Sequence, residues 1–395
     1  MSKNYYFIVY QNIPLGTQKL NLYTLRYIKK FIKKKDKLFF VDARKINFIY
    51  SKTNIYKYKV PSVKYIKIGS FINFLKIVKN NAYCITDLNY SYRSFFLFLL
   101  IRIKNLKIIL FNNIGYYSQI STFAPKKNYF FKSLNKIFYN FIFKIFVLLS
   151  ILPRVHLYFE SSQKRINDLK NSVSKKFQIN LKIKNFFYFN QVIRINSKYY
   201  DNNLNKKIKK NKNHILYVDN GIDHPDRIMR DGRPTDEQRK IYFLQLSKFL
   251  LMLKKKYRSQ IIFCYHPKSL IYPKNHFFYK YFKFCKFSSN TDHYFDNAKI
   301  IVFQISSLIN RAILLKKKII LTKSNILGNY FNEKLNDINN TINLYNVDLS
   351  KLKKLNFSSM DFDINNKIRL YDKFIKNNHI AIKNIKSYEQ IKKIL

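Results

Sequence analysis

The chain has 395 residues, 47% of them hydrophobic, with 75 Lys and Arg against 21 Asp and Glu and a net charge of +54. The length suits two domains of ordinary size, and the apolar content excludes a disordered chain. Lys, Asn, Ile, Phe and Tyr are abundant while Gly, Pro and Trp are scarce, as AT-rich codons impose, so part of the charge reflects composition and the rest points to an anionic partner.

The opening segment, MSKNYYFIVYQNIP, has no long apolar run ending in small residues and reads as a first strand, not a signal peptide. Further apolar runs follow at Leu38–Asp42, Tyr65–Ile68, Ala82–Asp87, Leu106–Asn112 and Val155–Glu160, after a first at Tyr5–Tyr10. Several end in a polar residue, as a buried parallel strand does at its carboxyl edge. Helical stretches lie between them, which predicts an open α/β sheet. Two richer apolar stretches, Phe95 to Phe111 and Ile137 to Pro153, carry basic and aromatic residues. They read equally as buried core helices or as interfacial helices on an anionic inner membrane. No uncharged apolar run reaches the ~18 residues that a spanning helix needs.

From Ser161 to Lys212 the pattern weakens as Lys, Asn and Ser accumulate, and a linker is expected late in this stretch. A second series of strands follows at His214–Asp219, Gln260–Tyr265, Lys299–Phe303 and Lys318–Thr322. Between the first two, Tyr242, Phe243, Leu246, Phe249, Leu250 and Leu253 keep a helical period. The expected organisation is an N-terminal Rossmann-like domain over 1–200, a C-terminal Rossmann-like domain over 213–364, and a helical tail over 365–395 able to return to the first domain.

Several chemistries are excluded. The six glycines are too far apart for a GxGxxG loop or a P-loop, and neither GxSxG nor HExxH occurs. The one DxD-like triplet, Asp361–Asp363, lies near the C-terminus, which disfavours a metal-dependent transferase, and no metal or cofactor is expected. Cys84, Cys264 and Cys285 form no CxxC pair, so free thiols in a reducing, cytoplasmic compartment are expected. Phosphate must then be held by hydroxyls, helix N-termini and basic side chains.

Three motifs sit at strand ends. The first runs from Tyr217 to Asp226, YVDNGIDHPD; Gly221 permits a sharp turn, and an Asp there can act as general base. The second is Cys264–Lys268, CYHPK, where Pro267 holds His266 extended and the imidazole can contact or protonate a phosphate. The third is Phe303–Leu308, FQISSL, where Ser306 or Ser307 can cap the following helix and cradle a phosphate. Lys268, Arg311 and Lys323 are cations beside these motifs. Each motif has a bland alternative as a turn or cap; their order within one domain favours a site.

This ordered trio, from about Ile215 to Leu327, resembles the acidic–Gly, HP and Ser/Thr-Ser/Thr motifs of bacterial GT-B sialyltransferases and polysialyltransferases, and of related capsule and lipopolysaccharide biosynthesis proteins. The resemblance implies a GT-B fold, two Rossmann-like domains facing a central cleft. It implies an inverting, metal-independent glycosyltransferase that moves a nonulosonic acid, sialic acid-like or Kdo-like, from a CMP-sugar to an anionic glycan or glycolipid. His266, Pro267, Lys268, Ser306, Ser307 and Gly221 would hold the donor, with His266 also catalytic. The base would be Asp219 or Asp223, with Asp226 and His224 weaker candidates, because Asn220 stands at a position acidic in those enzymes. The acceptor would sit in the N-terminal domain, near Asp87 or Asn112-Asn113. The HP and SS motifs also resemble, more loosely, glycerophosphotransferases of teichoic acid synthesis, so a CDP-polyol donor is the alternative. A nucleic-acid-binding protein is the third reading, disfavoured because the charge is spread along the chain and no RRM, KH or helix-turn-helix signature occurs.

Overall fold

A computed structural model of the chain describes residues 2–10, 18–46, 60–86, 94–112, 142, 145–167, 169, 189–204, 213–219, 222–223, 227–228, 231–265, 272–273, 275–354 and 364–395. The chain divides into two compact units. Among the described residues, those up to Asp201 together with Ile380–Leu395 form the first, and those from Asn202 to His379 form the second.

The first unit holds a 7-stranded sheet in the order β3-β2-β1-β4-β5-β6-β7. Its strands are β1 (Asn4–Val9), β2 (Lys37–Asp42), β3 (Lys64–Lys67), β4 (Tyr83–Ile85), β5 (Lys107–Asn112), β6 (Val155–Glu160) and β7 (Phe189–Arg194), all paired in parallel. Helices α1 (Gln18–Phe31), α2 (Phe71–Ile77) and α3 (Phe95–Ile103) belong to it, and the chain leaves it within α4 (Lys198–Asn203). Alternate residues of β1 serve opposite faces: Tyr6 and Ile8 pack with Phe74, Leu97 and Phe98, whereas Tyr5 and Phe7 pack with Leu25, Ile28 and Phe31. Both faces of the sheet are therefore buried, as its continuous apolar runs require.

The second unit holds a 6-stranded parallel sheet in the order β10-β9-β8-β11-β12-β13. The strands are β8 (His214–Val218), β9 (Gln260–Cys264), β10 (Cys285–Ser288), β11 (Ile300–Phe303), β12 (Lys318–Lys323) and β13 (Tyr345–Asp348). Its helices are α5 (Asp236–Tyr257), α6 (Phe278–Tyr281), α7 (Thr291–Phe295), α8 (Ile309–Leu314), α9 (Asn329–Ile342) and α10 (Asn365–Asn378). Helix α5 starts at a capping box: Gln238 N–H donates to Thr235 Oγ1 at 3.2 Å, and Thr235 N–H donates to Gln238 Oε1 at 3.0 Å. It ends where Arg258 turns left-handed at φ 46°. Its apolar stripe packs with Ile215, Phe263 and Val302 on one face of the sheet, while Phe295 of α7 meets Phe303 on the other.

The segment 365–395 divides: α10 belongs to the second unit, and Ile380–Leu395, with α11 (Ser387–Ile394), belongs to the first. In the stretch from Phe95 to Phe111 the strand read at Leu106–Asn112 is present, and the helix read across the whole stretch is confined to its first part. The stretch is α3 followed by β5, separated at Asn105, whose φ of 50° ends the helix. Strand β7 and helix α4 lie inside the stretch where the sequence pattern weakens.

Candidate functional site

The motif-bearing strands β9, β8 and β11 are neighbours, and all run the same way. Val218 pairs with Cys264 on one side and with Phe303 on the other. Asp219, Tyr265 and Gln304 are thus each the first residue beyond the paired strands, together at the carboxyl edge. The edge is closely tied: Asp219 N–H donates to Cys264 O at 2.9 Å, and Tyr265 N–H to Ser288 O at 3.1 Å. Strand order reverses between β8 and β11, since β8 leads outward to β9 and β11 leads outward to β12. Their loops leave in opposite directions there, which opens the crevice where ligands bind in such sheets.

A buried polar chain runs beneath this crevice. The Gln304 amide donates to the Tyr242 hydroxyl, which lies 3.2 Å from the Tyr217 hydroxyl. Tyr217 in turn hydrogen-bonds the Asp219 carboxylate. Burial pushes both tyrosines well above their ordinary range, and the Asp219 charge adds to it. They are therefore neutral hydroxyls that donate toward Asp219 and hold its carboxylate in place. Tyr242 and Gln304 lack any sequence signal of their own beyond lying on a helix face and after a strand. Their role depends on the α5 register that brings them together.

Asp223 has a different setting. Arg239 grips its carboxylate with Nη2 at 2.8 Å and Nε at 3.0 Å from Oδ1, and Tyr272 donates to its other oxygen. Arg239 also reaches Asp236 at 2.6 Å. Asp219 and Asp223 nonetheless line one small cavity with Tyr265 and Tyr272, of about 10 Å³, the room of a single water.

Arg227 fixes the loop after β8. Its buried guanidinium donates to the carbonyls of Ile222 (3.1 Å), Gly232 (3.2 Å), Ile326 (3.0 Å) and Leu327 (3.1 Å). One side chain thereby ties the first motif to the turn after β12. Gly328 completes that turn at φ 84°, where a Cβ would lie 2.6 Å from Asp231 Oδ2.

In the third motif, Ser306 Oγ accepts from Leu308 N–H at 3.2 Å and its carbonyl accepts from Ile309 N–H at 3.1 Å. Ser306 thus caps the turn that leads into α8, and Ser306 and Ser307 are both half-buried at the β11 edge. Arg311, expected as a cation for the site, is instead engaged by Asp292 and by Asp296, the latter at 2.6 Å. Lys323 lies 4.0 Å from Asp348. Gly221, His266, Pro267 and Lys268 lie outside the described residues, as do Asn220, His224, Asp226, Asp87, Asn113 and Asp361–Asp363.

In the first unit, Asn112 at the end of β5 donates to Glu160 Oε2 at 2.8 Å. Glu160 also accepts from Tyr158 at 2.8 Å, from Ser162 N–H at 2.9 Å and from Arg165 at 3.2 Å. Burial raises its carboxyl above the usual range, and those contacts pull the other way. This is a polar cluster at the carboxyl edge of the first sheet.

No protein-family model matches the chain, and no curated protein matches its sequence. Its structure does match solved ones. Phytolacca americana UGT2, complexed with UDP-2fluoro-glucose and pterostilbene, superposes with a TM-score of 0.53 at 11% identity, covering 100% of this chain and 98% of that one. The wall teichoic acid polymerase TagF superposes with a TM-score of 0.50 at 12% identity, covering 100% of this chain and 88% of that one. The chain has the GT-B glycosyltransferase fold. In GT-B terms, the site described above sits on the second sheet, at its strand-order reversal.

Proposed function

We propose that this chain is an inverting, metal-independent glycosyltransferase that moves a nonulosonic acid from a CMP-sugar to an anionic surface glycan or glycolipid. The observation that carries this reading is the convergence of Asp219, Tyr265 and the Ser306-Ser307 turn on one edge, at the ends of three adjacent parallel strands. The donor phosphate is taken by the Ser306 and Ser307 hydroxyls and by His266, which neutralises or protonates the leaving oxygen. Asp219 takes the acceptor proton as the anomeric carbon gains oxocarbenium character. Leaving-group charge is met by hydrogen-bond donors in place of a metal. The acceptor lies at a membrane surface, where capsule and lipopolysaccharide precursors are assembled. Fold likeness to a wall teichoic acid polymerase keeps polyol-phosphate transfer from a CDP donor as the second reading.

Calorimetric titration of the full chain with CMP, CDP, UDP and GDP tests both readings. CMP is expected to bind best. Ser306→Ala/Ser307→Ala and His266→Ala should each weaken it by on the order of tenfold or more, since each loses hydrogen bonds to a charged group. Preference for CDP with the same losses selects polyol-phosphate transfer. No nucleotide binding by the folded protein overturns the site.

A further inference from the structure

Most of the exposed large apolar side chains among the described residues fall on one part of the first unit. They lie on α2, on α3 and on residues 145–151, the first four of which are helical before the chain turns. Ile72 is 64% exposed, Ile103 58%, Leu148 57% and Leu149 65%. The three segments are side by side. Phe71 and Phe96 meet with ring centroids 5.8 Å apart, joining α2 to α3. Phe95 and Phe146 meet at 5.6 Å, joining α3 to the third segment. At the far end Lys104 Nζ donates to Leu75 O at 2.8 Å. Beneath them Phe74, Leu97, Phe98, Ile101, Val147 and Leu152 fill the core, so the exposed set is a second apolar face and not a displaced core.

The charge on this face has one sign. Lys76, Lys79, Arg102 and Arg154 are exposed in the same segments, and no Asp or Glu occurs in 71–81, 94–107 or 145–154. Exposed apolar side chains that share their segments with exposed cations and with no carboxylate suit a surface that is oily inside and negative outside. A second copy of this face would bring like charges together, which opposes self-association through it. Among the described residues no helix is long and apolar enough to cross a membrane.

We infer that α2, α3 and residues 145–151 form a docking face that lays the first unit on an anionic lipid surface, with the Ile72, Ile103, Leu148 and Leu149 side chains entering the acyl boundary and Lys76, Lys79, Arg102 and Arg154 meeting headgroup phosphates. The inference stands on this face alone and does not depend on the donor proposed above.

Flotation with vesicles tests it, using phosphatidylcholine alone and phosphatidylcholine mixed with phosphatidylglycerol, at physiological salt. The full chain should float with the anionic vesicles and stay behind with the neutral ones. The variant Ile72→Ser/Ile103→Ser/Leu148→Ser/Leu149→Ser should keep its thermal midpoint, because these side chains are exposed, and bind at least about tenfold more weakly. If that variant is poorly folded, Lys76→Glu/Arg102→Glu provides the same reading through the charge. Binding unchanged in the folded serine variant, or equal on neutral vesicles, overturns the inference. So does a wild-type dimer in sedimentation that the serine variant converts to monomer.

Discussion

Two carboxylates follow β8, and their neighbours differ. Asp223 is bound by Arg239 and Tyr272, and its ion pair is largely sealed, with side chains 6% and 16% exposed. Asp219 has a neutral hydroxyl behind it and the strand-order reversal in front. Asp223→Asn should destabilise the fold by roughly 1.5–3 kcal/mol in urea unfolding, the value of hydrogen bonds to a charge, because Arg239 loses its main partner. Asp219→Asn should leave the unfolding midpoint in place and lower turnover by about 10²–10⁴, the contribution of a general base. Tyr217→Phe belongs with it: without the hydroxyl behind the carboxylate, kcat should fall by about tenfold while donor binding holds. The reverse pattern, with Asp223 silent in stability and decisive in rate, would move the base to Asp223. The sequence offered both residues because both follow a strand, and only the position of Arg239, sixteen residues on, separates them.

At the scale of elements, the strands that sequence reveals are those buried on both faces, such as HILYV and IIVF, where nothing polar interrupts the run. Strands β7, β10 and β13 were not legible, and each is an edge strand; β3, the remaining edge strand, showed only through its short run Tyr65–Ile68. Half-exposed, FNQVIR, CKFS and YNVD carry polar residues that break the apolar pattern. The three motifs were legible because each is a polar break after an unbroken strand; the buried Arg227 and the Tyr217–Tyr242–Gln304 chain were not, since their partners come from distant segments. The same holds for the last segment. Its period suggests a helix, but what fastens it is the buried Asn196, whose amide donates to Ile382 O at 2.7 Å and Ile385 O at 2.6 Å. The same amide's oxygen accepts from Ala381 N–H at 2.6 Å and Ile382 N–H at 3.0 Å. Asn196→Ala would leave these backbone groups without their partner, so it should cost at least about 3 kcal/mol in urea unfolding. A loss below about 1 kcal/mol would mean that Ile391 and its apolar neighbours hold the segment without the clamp.

For the molecule as a whole, the balance of a +54 chain at low pH depends on buried groups that resist a change of charge. His379 closes α10 at the point where the chain passes from the second unit to the first. Complete burial lowers its pKa from 6.5 to about 3, so the folded protein holds it neutral while the unfolded chain protonates it. The stability it contributes is full above pH 6.5 and is lost as pH falls toward 3, by about 1.4 kcal/mol for each unit. Glu160 has the opposite sign. Its folded pKa is raised, so its contribution is present below about 4.5 and is lost as pH rises through the folded value. Between pH 7.5 and pH 4.5 the two changes therefore oppose each other, and a wild-type profile alone hides both. Urea unfolding at these two pH values separates them. His379→Leu should narrow the loss of stability on acidification by about 2–3 kcal/mol, since the imidazole no longer has to be buried neutral. Glu160→Gln should widen that loss, because the carboxyl's gain on protonation is gone. Equal pH dependence in His379→Leu and wild type would mean that the imidazole is solvated before the protein unfolds, and that the junction at His379 opens ahead of the two cores.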